Sequence, residues 1–373
     1  MRDEKGRVAS ASERQILDII HRSPGISRSA LTKHTRYKQQ SVHRMVDSLA
    51  ARKLLQIGEP TISGRGKPSP ALTVNPRGGF AIGISVNTDA IRLSVVNLGC
   101  ELIDWEFVET DPTRRDLAIQ DIVSAASSFT KKLGIDTGHI IGYGVAITGF
   151  RMGRQDVFMP PLPLKQWSEA ALAPLFTEAF GHSVWIENNA NAGAIAESLV
   201  GAGRQHSTFC YLSFNYGFGG GMIVDGEPLV GAHGNAGELG TMFRPDQRTS
   251  RPALEELIKR IRAAGGDVES IRALIQQFHP DLPGVRAWVE EVMPMLELTI
   301  RAISATMDPS AIVFGGEAPP QLQQMLIDHC KPFEAVLSGR EKPARPVLLK
   351  SAISGDPATF GAALLPIKQS VLL

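Results

Sequence analysis

Lys38-Gln39-Gln40-Ser41-Val42-His43-Arg44-Met45-Val46-Asp47-Ser48-Leu49-Ala50-Ala51-Arg52-Lys53 is the stretch from which the fold of the N-terminal part can be read. Val42, Met45, Val46 and Leu49 recur at i, i+3, i+4 and i+7, so one face of a helix here is apolar and belongs in a core. Gln40, Ser41, His43, Arg44, Asp47 and Ser48 fall on the opposite face, with Lys38 and Gln39 at the N-terminus. Upstream, Ile16, Leu17, Ile19 and Ile20 have helical spacing within Ser12 to Arg22, and Ser23-Pro24-Gly25 stops that helix. Ser27 fits the N-cap of a short helix through Ala30 and Leu31, and a turn at Thr35 to Tyr37 leads into the third helix. Downstream, Leu54 to Val74 holds two apolar segments around Thr61-Ile62-Ser63-Gly64-Arg65-Gly66-Lys67-Pro68, the pattern of a two-stranded wing with a basic tip.

Three short helices, the third polar on its free side, followed by a wing, predict a winged helix-turn-helix over residues 1–75. Its third helix would enter the major groove of double-stranded DNA. Lys38, Gln39, Gln40, Ser41, His43 and Arg44 are its candidate contacts, because Gln and Arg can pair bidentately with base edges. Arg65 and Lys67 would reach phosphate or the minor groove. Charge points the same way. Residues 1–80 hold 15 Lys and Arg against 6 Asp and Glu, a net +9, so the rest of this +1 chain carries −8. A basic head on an acidic body suits phosphate neutralisation with counterion release.

With 373 residues, 43% hydrophobic and 21% charged, the chain has the balance of a soluble globular protein of more than one compact unit. It contains no run of about 18 apolar residues, so no membrane span is expected. Met1 to Ser12 lacks the apolar stretch of a secretory signal, and a cytoplasmic location is the expectation. Cys100, Cys210 and Cys330 are too few and too far apart for a disulfide framework or a metal clip, and read as reduced, buried thiols.

Pro76-Arg77-Gly78-Gly79 marks the end of the head. Beyond it, strands at Phe80 to Val86, Ile91 to Asn97 and Glu101 to Glu109 precede a helix at Leu117 to Leu133 and a buried strand at Ile140 to Ile147. A helix near Ser168 to Phe180 and a strand at Ser183 to Glu187 follow an irregular Gly/Pro-rich stretch. Next come a strand at Thr208 to Phe214, the glycine cluster Gly217-Phe218-Gly219-Gly220-Gly221, a strand at Met222 to Asp225, and the glycine-rich loop Gly231 to Gly240. Helices dominate from Pro252, broken by a strand at Ala311 to Phe314 that ends in Gly315-Gly316. The alternation predicts an α/β body.

The chain resembles the ROK family of repressors, uncharacterised frames and kinases along nearly its whole length. Ile26-Ser27-Arg28 and the Gly-Arg-Gly-Lys-Pro of residues 64–68 are similar to the winged head of its repressor branch. Glu187-Asn188-Asn189-Ala190-Asn191 resembles the family's Glu-Asn-Asp-Ala-Asn, and Gly219-Gly220-Gly221 its second phosphate loop. Ala236-Gly237-Glu238-Leu239-Gly240 resembles its Ala-Gly-Glu-x-Gly-His, and Ile312-Val313-Phe314-Gly315-Gly316 its adenosine-side strand and turn. The resemblance implies a two-lobed, actin-like or hexokinase-type body over residues 78–367 with a sugar cleft between its lobes. Lobe one would comprise about 78–190 with a C-terminal helix at about 355–367, and lobe two about 191–350.

The departures from the family pattern bear on function. Kinases of the family open with Asp-x-Gly-Gly-Thr, a turn that approaches nucleotide phosphates; here Ser85-Val86-Asn87-Thr88-Asp89 lacks both glycines and places an acid there. The family's catalytic Asp is replaced by Asn189, a carboxamide that hydrogen-bonds a hydroxyl without taking its proton. Tyr216 stands where kinases carry a small Thr. The zinc-binding His is replaced by Thr241, and the cysteine-rich segment by Phe243 to Pro252, so neither metal nor cofactor is expected. Asn188, Asn189 and Glu238 match positions that contact sugar hydroxyls in the family. Glu255 aligns with the Glu of the family's Gly-Cys-x-Glu, although the cysteines around it are absent.

The resemblance and its departures together imply a sugar-responsive transcription regulator, a repressor of carbohydrate uptake or catabolism genes, without catalytic residues. Its partners would be operator DNA, a sugar or sugar derivative, and further copies of itself in a homodimer or homotetramer. Two alternatives stay open at this point: an active ATP-dependent sugar kinase with an appended DNA-binding head, and a regulator that answers to a protein partner.

Overall fold

A computed structural model describes residues 8–61, 69–153, 156–168, 170–333 and 344–373. The head is built from α1 (Ala11–Arg22), β1 (Ile26–Ser27), α2 (Arg28–Lys33), α3 (Gln39–Ala51), β2 (Leu55–Thr61) and β3 (Ser69–Val74). Ser10 and Glu13 form a reciprocal capping box at the start of α1, and the Ser27 hydroxyl accepts from the Ala30 amide to cap α2. Val42, Val46 and Leu49 are fully buried against Ile16, Leu17, Ile20 and Leu31, while Met45 packs at the margin. The strands pair antiparallel in the order β1-β3-β2, the sheet of a winged helix. The wing tip, with Arg65 and Lys67, lies outside the described residues.

Among the described residues the body contains two mixed five-stranded sheets of related design. In the first, β4 (Phe80–Val86), β5 (Ile91–Asn97) and β6 (Leu102–Val108) form an antiparallel meander. Parallel β7 (Ile140–Ile147) and β10 (Val184–Asn188) extend it to the order β10-β7-β4-β5-β6. α4 (Arg115–Lys132) leads from β6 to β7, and the short pair β8 (Phe150–Arg151) and β9 (Phe158–Met159), with α5 (Leu172–Phe180), lies between β7 and β10. The helix read near Ser168 begins at Leu172, after a 3-10 segment, Leu162–Ser168, that buries Trp167.

α6 (Asn189–Val200) crosses to the second sheet. There, β11 (Phe209–Phe214), β12 (Phe218–Val224) and β13 (Glu227–Pro228) repeat the antiparallel meander. α7 (Leu254–Ala263), α8 (Ile271–Gln277) and α9 (Val285–Met307) lead to β14 (Ala311–Gly316), then α10 (Pro320–His329) and β15 (Val347–Lys350). The strand order is β13-β12-β11-β14-β15. α11 (Pro357–Ser370) returns to lie against β4, β5, β7 and α6. The result is mixed α/β, a winged head followed by an actin-like two-lobed body.

One expectation is corrected. Gly219, Gly220 and Gly221 are not a loop but the middle of β12, paired with Ser213, Leu212 and Tyr211 of β11. They are glycines because other elements press on the strand: a Cβ on Gly221 would lie 2.5 Å from that of Ala194 in α6, and one on Gly220 2.8 Å from Leu239. Only Asn215-Tyr216-Gly217 is left as the turn.

Head and body share one core. Ile16, Leu17 and Ile20 of α1 belong to the same buried cluster as Leu98, Ile195, Leu199, Ile367, Val371 and Leu372. Arg14 donates to the carbonyls of Lys368 and Leu372, both at 2.7 Å, and the Ala9 amide donates to Ser370 O at 3.1 Å. These bonds satisfy carbonyls that the end of α11 would otherwise leave unpaired.

Candidate functional site

The polar face of α3 is open. Lys38, Gln39, Gln40, Ser41 and Arg44 are exposed and His43 half-buried, and their side chains make no hydrogen bond or ion pair among the described residues. Asp47 sits on the same helix, where its charge would oppose phosphate. Arg28 of α2 pairs with it at 2.7 Å, which offsets that charge and braces α2 against α3. Arg28 was read from the sequence only as part of the Ile26-Ser27-Arg28 motif; its pairing with Asp47, 19 residues on, depends on how α2 crosses α3.

A second cluster lies at the start of α6, where the two sheets meet. Asn188 is the N-cap: its Oδ1 accepts from the amides of Ala190 (2.7 Å) and Asn191 (3.4 Å). Its Nδ2 donates to Gly149 O at 3.0 Å and to Glu238 Oε1 at 3.2 Å. The amide of Asn188 is therefore engaged structurally, and it orients Glu238. Glu238 follows Gly237, whose backbone is left-handed at φ 92° and presses so closely on Gly220 O that a side chain would overlap it. The Gly220 amide donates to Gly237 O at 2.8 Å, pinning the loop to β12. Burial raises the Glu238 carboxyl to about 7, so near neutrality it can either donate to or accept from a hydroxyl.

Asn189, the first residue of α6, donates from Nδ2 to Asn87 Oδ1 at 2.6 Å. Both side chains are more than nine-tenths buried, and Asn189 Oδ1, Asn87 Nδ2 and the neighbouring Thr88 Oγ have no partner. Asn87 lies in the β4–β5 turn, where its amide donates to Ala90 O at 3.0 Å. Glu187 accepts from Arg151 at 2.5 Å, from the Asn188 amide at 2.8 Å and from Asn191 at 3.2 Å. Asn235 clasps the Arg151 backbone, accepting at 2.7 Å and donating at 3.0 Å. Asn188, Asn189 and Glu238 are thus brought together. Glu255 is not: it accepts from Tyr216 at 3.0 Å and pairs with Lys259 at 2.7 Å, beside the Asn215–Gly217 turn.

Next to Asn87 the lobes are tied by charge. Arg92 of β5 pairs with Glu317, just beyond β14, and with Asp356 (3.0 Å), the N-cap of α11. Ser85 and Thr359 each donate to Asp356 at 2.5 Å. Burial raises Glu317 to about 7 despite Arg92, whereas Arg92, Ser85 and Thr359 outweigh burial at Asp356 and lower it. Arg272 of α8 and Arg92 both stack on Phe107. Among the described residues no three His, Cys, Asp or Glu side chains gather as metal ligands, and no helix is long and apolar enough to cross a membrane.

A winged helix-turn-helix joined to a two-lobed body with a polar cluster at the lobe junction defines the class. The chain belongs to the ROK family, which it matches over residues 81–369, and residues 10–65 match the MarR family. It is 25% identical to an uncharacterised protein of Sinorhizobium fredii over 96% of this chain and 91% of that one. It is 27% identical to the xylose repressor of Bacillus spizizenii over 63% of this chain, spanning 61% of the repressor's length. A solved ROK family transcriptional regulator, a homologue of the E. coli MLC protein, superposes with a TM-score of 0.67 at 19% identity, covering 96% of each chain.

Proposed function

We propose that this protein is a transcription repressor whose head binds double-stranded operator DNA and whose body senses a sugar or sugar derivative without reacting with it. The observation that carries the reading is the buried pairing of Asn189 with Asn87. In the kinases that the family resemblance implies, the first position holds a proton-accepting carboxylate and the second belongs to a glycine-bearing phosphate turn. An amide at the first position costs about 10² to 10⁴ in rate through loss of general base catalysis. At the second, a hydrogen-bonded side chain takes the place of the backbone approach that a phosphate needs.

The open face of α3 supports readout of base edges by Gln39, Gln40 and Arg44, with Lys38, Ser41 and His43 flanking them. Arg65 and Lys67 complete this set as phosphate or minor-groove contacts. Asn189 and Glu238 retain hydrogen-bonding capacity for sugar hydroxyls, and Asn188 holds Glu238 in place. The xylose repressors among the relatives support repression over activation. Two copies would present two heads to a palindromic operator, with half-sites about one helical turn, or multiples of it, apart.

A gel-shift titration with DNA from upstream of the gene, against random competitor at moderate salt, tests the reading. Sequence-preferring retardation is expected; equal retardation of competitor contradicts it. A coupled ATP-turnover assay across hexoses, pentoses and amino sugars separates regulator from kinase. The wild type is expected to show no sugar-dependent turnover. Asn189→Asp is also expected to show none, since the turn at Asn87 still lacks its glycines. Turnover restored by that substitution alone would contradict the assignment of the defect to both positions.

A further inference from the structure

The regulator reading gives Asn189 a sugar hydroxyl but leaves the unpartnered atoms of Asn87 and Thr88 without a role. Each carboxamide offers one acceptor oxygen and a donor NH2. Joined by a single N–H···O bond, the two leave one amide nitrogen and one amide oxygen of the same pair without a partner, whichever way the pair is flipped. Thr88 Oγ, one residue on, is a third unpartnered polar atom. Buried polar groups without partners are costly, so three adjacent ones specify what should meet them. A donor next to an acceptor matches a hydroxyl, which accepts one hydrogen bond and donates another. It does not match a phosphate, which at neutral pH chiefly accepts.

Charge around the turn selects in the same direction. Asp89, two residues after Asn87, feels both Arg92 and Asp356, and Glu317 feels Asp89. The neighbourhood holds the carboxyl groups of Asp89, Glu317 and Asp356 and the guanidinium of Arg92, which is already paired with Glu317 and Asp356; Arg272 stacks with Arg92 on Phe107. On the α6 side, Arg151 is paired with Glu187. A phosphate dianion placed at the turn would meet the carboxyl group of Asp89, while the guanidinium of Arg92 is held by Glu317 and Asp356.

We propose that Asn87 and Thr88 complete the effector site: the Asn87–Asn189 pair receives one hydroxyl of an uncharged, unphosphorylated sugar and discriminates against the phosphate ester of that sugar. This deepens the regulator reading and rests on it. Asn87 becomes a specificity-determining contact supplied by the turn that, in the kinases, serves nucleotide.

Isothermal titration of the full chain with D-xylose, D-glucose, N-acetyl-D-glucosamine and D-glucose 6-phosphate tests this. At least one uncharged sugar is expected to bind, and glucose 6-phosphate is expected to bind more weakly than glucose. Asn87→Asp keeps the shape and the bond from Asn189 but removes the free donor, and should weaken the bound sugar roughly 10-fold. Thr88→Val, at the half-buried neighbour, should weaken it less and serves if the first variant does not fold, as judged by its melting curve. Sugar binding unchanged in a folded Asn87→Asp variant, or unchanged in Thr88→Val where the first does not fold, overturns the proposal while leaving the regulator reading intact. So does tighter binding of glucose 6-phosphate than of glucose. Binding by none of the four overturns both.

Discussion

Glu238 shows how one residue's surroundings can set the chemistry of a site. Its carboxyl is raised to about 7 by burial, above the ordinary range near 4.5. The folded state thus holds the proton more firmly than the unfolded chain does. The associated stability is fully present below about pH 4.5 and is lost as pH rises through 7. Glu238→Gln does not titrate. Melting temperatures of both proteins at pH 5 and pH 8 should show the wild type losing ground to the variant, by about 2 kcal/mol once partial exposure is discounted. A difference independent of pH would show that Glu238 is not held in a desolvating environment. At this scale the motifs made the meeting of Asn188 with Glu238 at the start of α6 legible. Asn87 was legible only as a lost glycine, because its partner is 102 residues away and the pairing depends on how α6 meets β4. Glu255, aligned through a motif stripped of its cysteines, went to a different cluster.

Among the elements, α11 and α6 are held unusually close. A Cβ on Gly361 of α11 would overlap the Ala192 carbonyl of α6, and one on Gly144 of β7 would overlap Ala362 O. Helix propensity alone would favour Gly361→Ala by about 1 kcal/mol. The overlap with a backbone carbonyl costs more, about 3 kcal/mol, because the helices must move apart. A lowered urea midpoint is expected; a raised one would contradict the close approach. Periodic apolar residues made most elements readable, α3 and the meander β4–β6 above all. The glycines of β12 have no side chains to show a period, and that strand is defined by the backbone bonds it makes to β11.

At the scale of the whole molecule, one helix joins the Asn87–Asn189 end of the body to the winged head. α11 is capped by Asp356, inside the Arg92–Glu317 cluster, and ends where Arg14 of the head grips the carbonyls of Lys368 and Leu372. Along the way it packs on α6, whose first residue is Asn189. A sugar that prefers one arrangement of the lobes would therefore bias the seat of the head, and the affinity difference between arrangements limits the size of that bias. Arg14→Ala removes the grip while leaving α3 and the Asn189 cluster untouched. It is expected to bind sugar and DNA within about threefold of wild type while losing most of the effect of sugar on DNA affinity. An unreduced sugar effect would place the coupling elsewhere. The basic head and acidic body were visible in charge alone, but their shared core was not, since it joins residues at opposite ends of the chain.

The most direct test of sensing without reaction is the fluorescence anisotropy of labelled upstream DNA titrated with the unmodified protein at fixed salt, with and without the sugar that binds it most tightly. A several-fold change in DNA affinity, with the sugar recovered chemically unchanged from a parallel incubation with ATP, is the predicted result. DNA affinity indifferent to a bound sugar, or recovery of that sugar as its phosphate, would contradict the account.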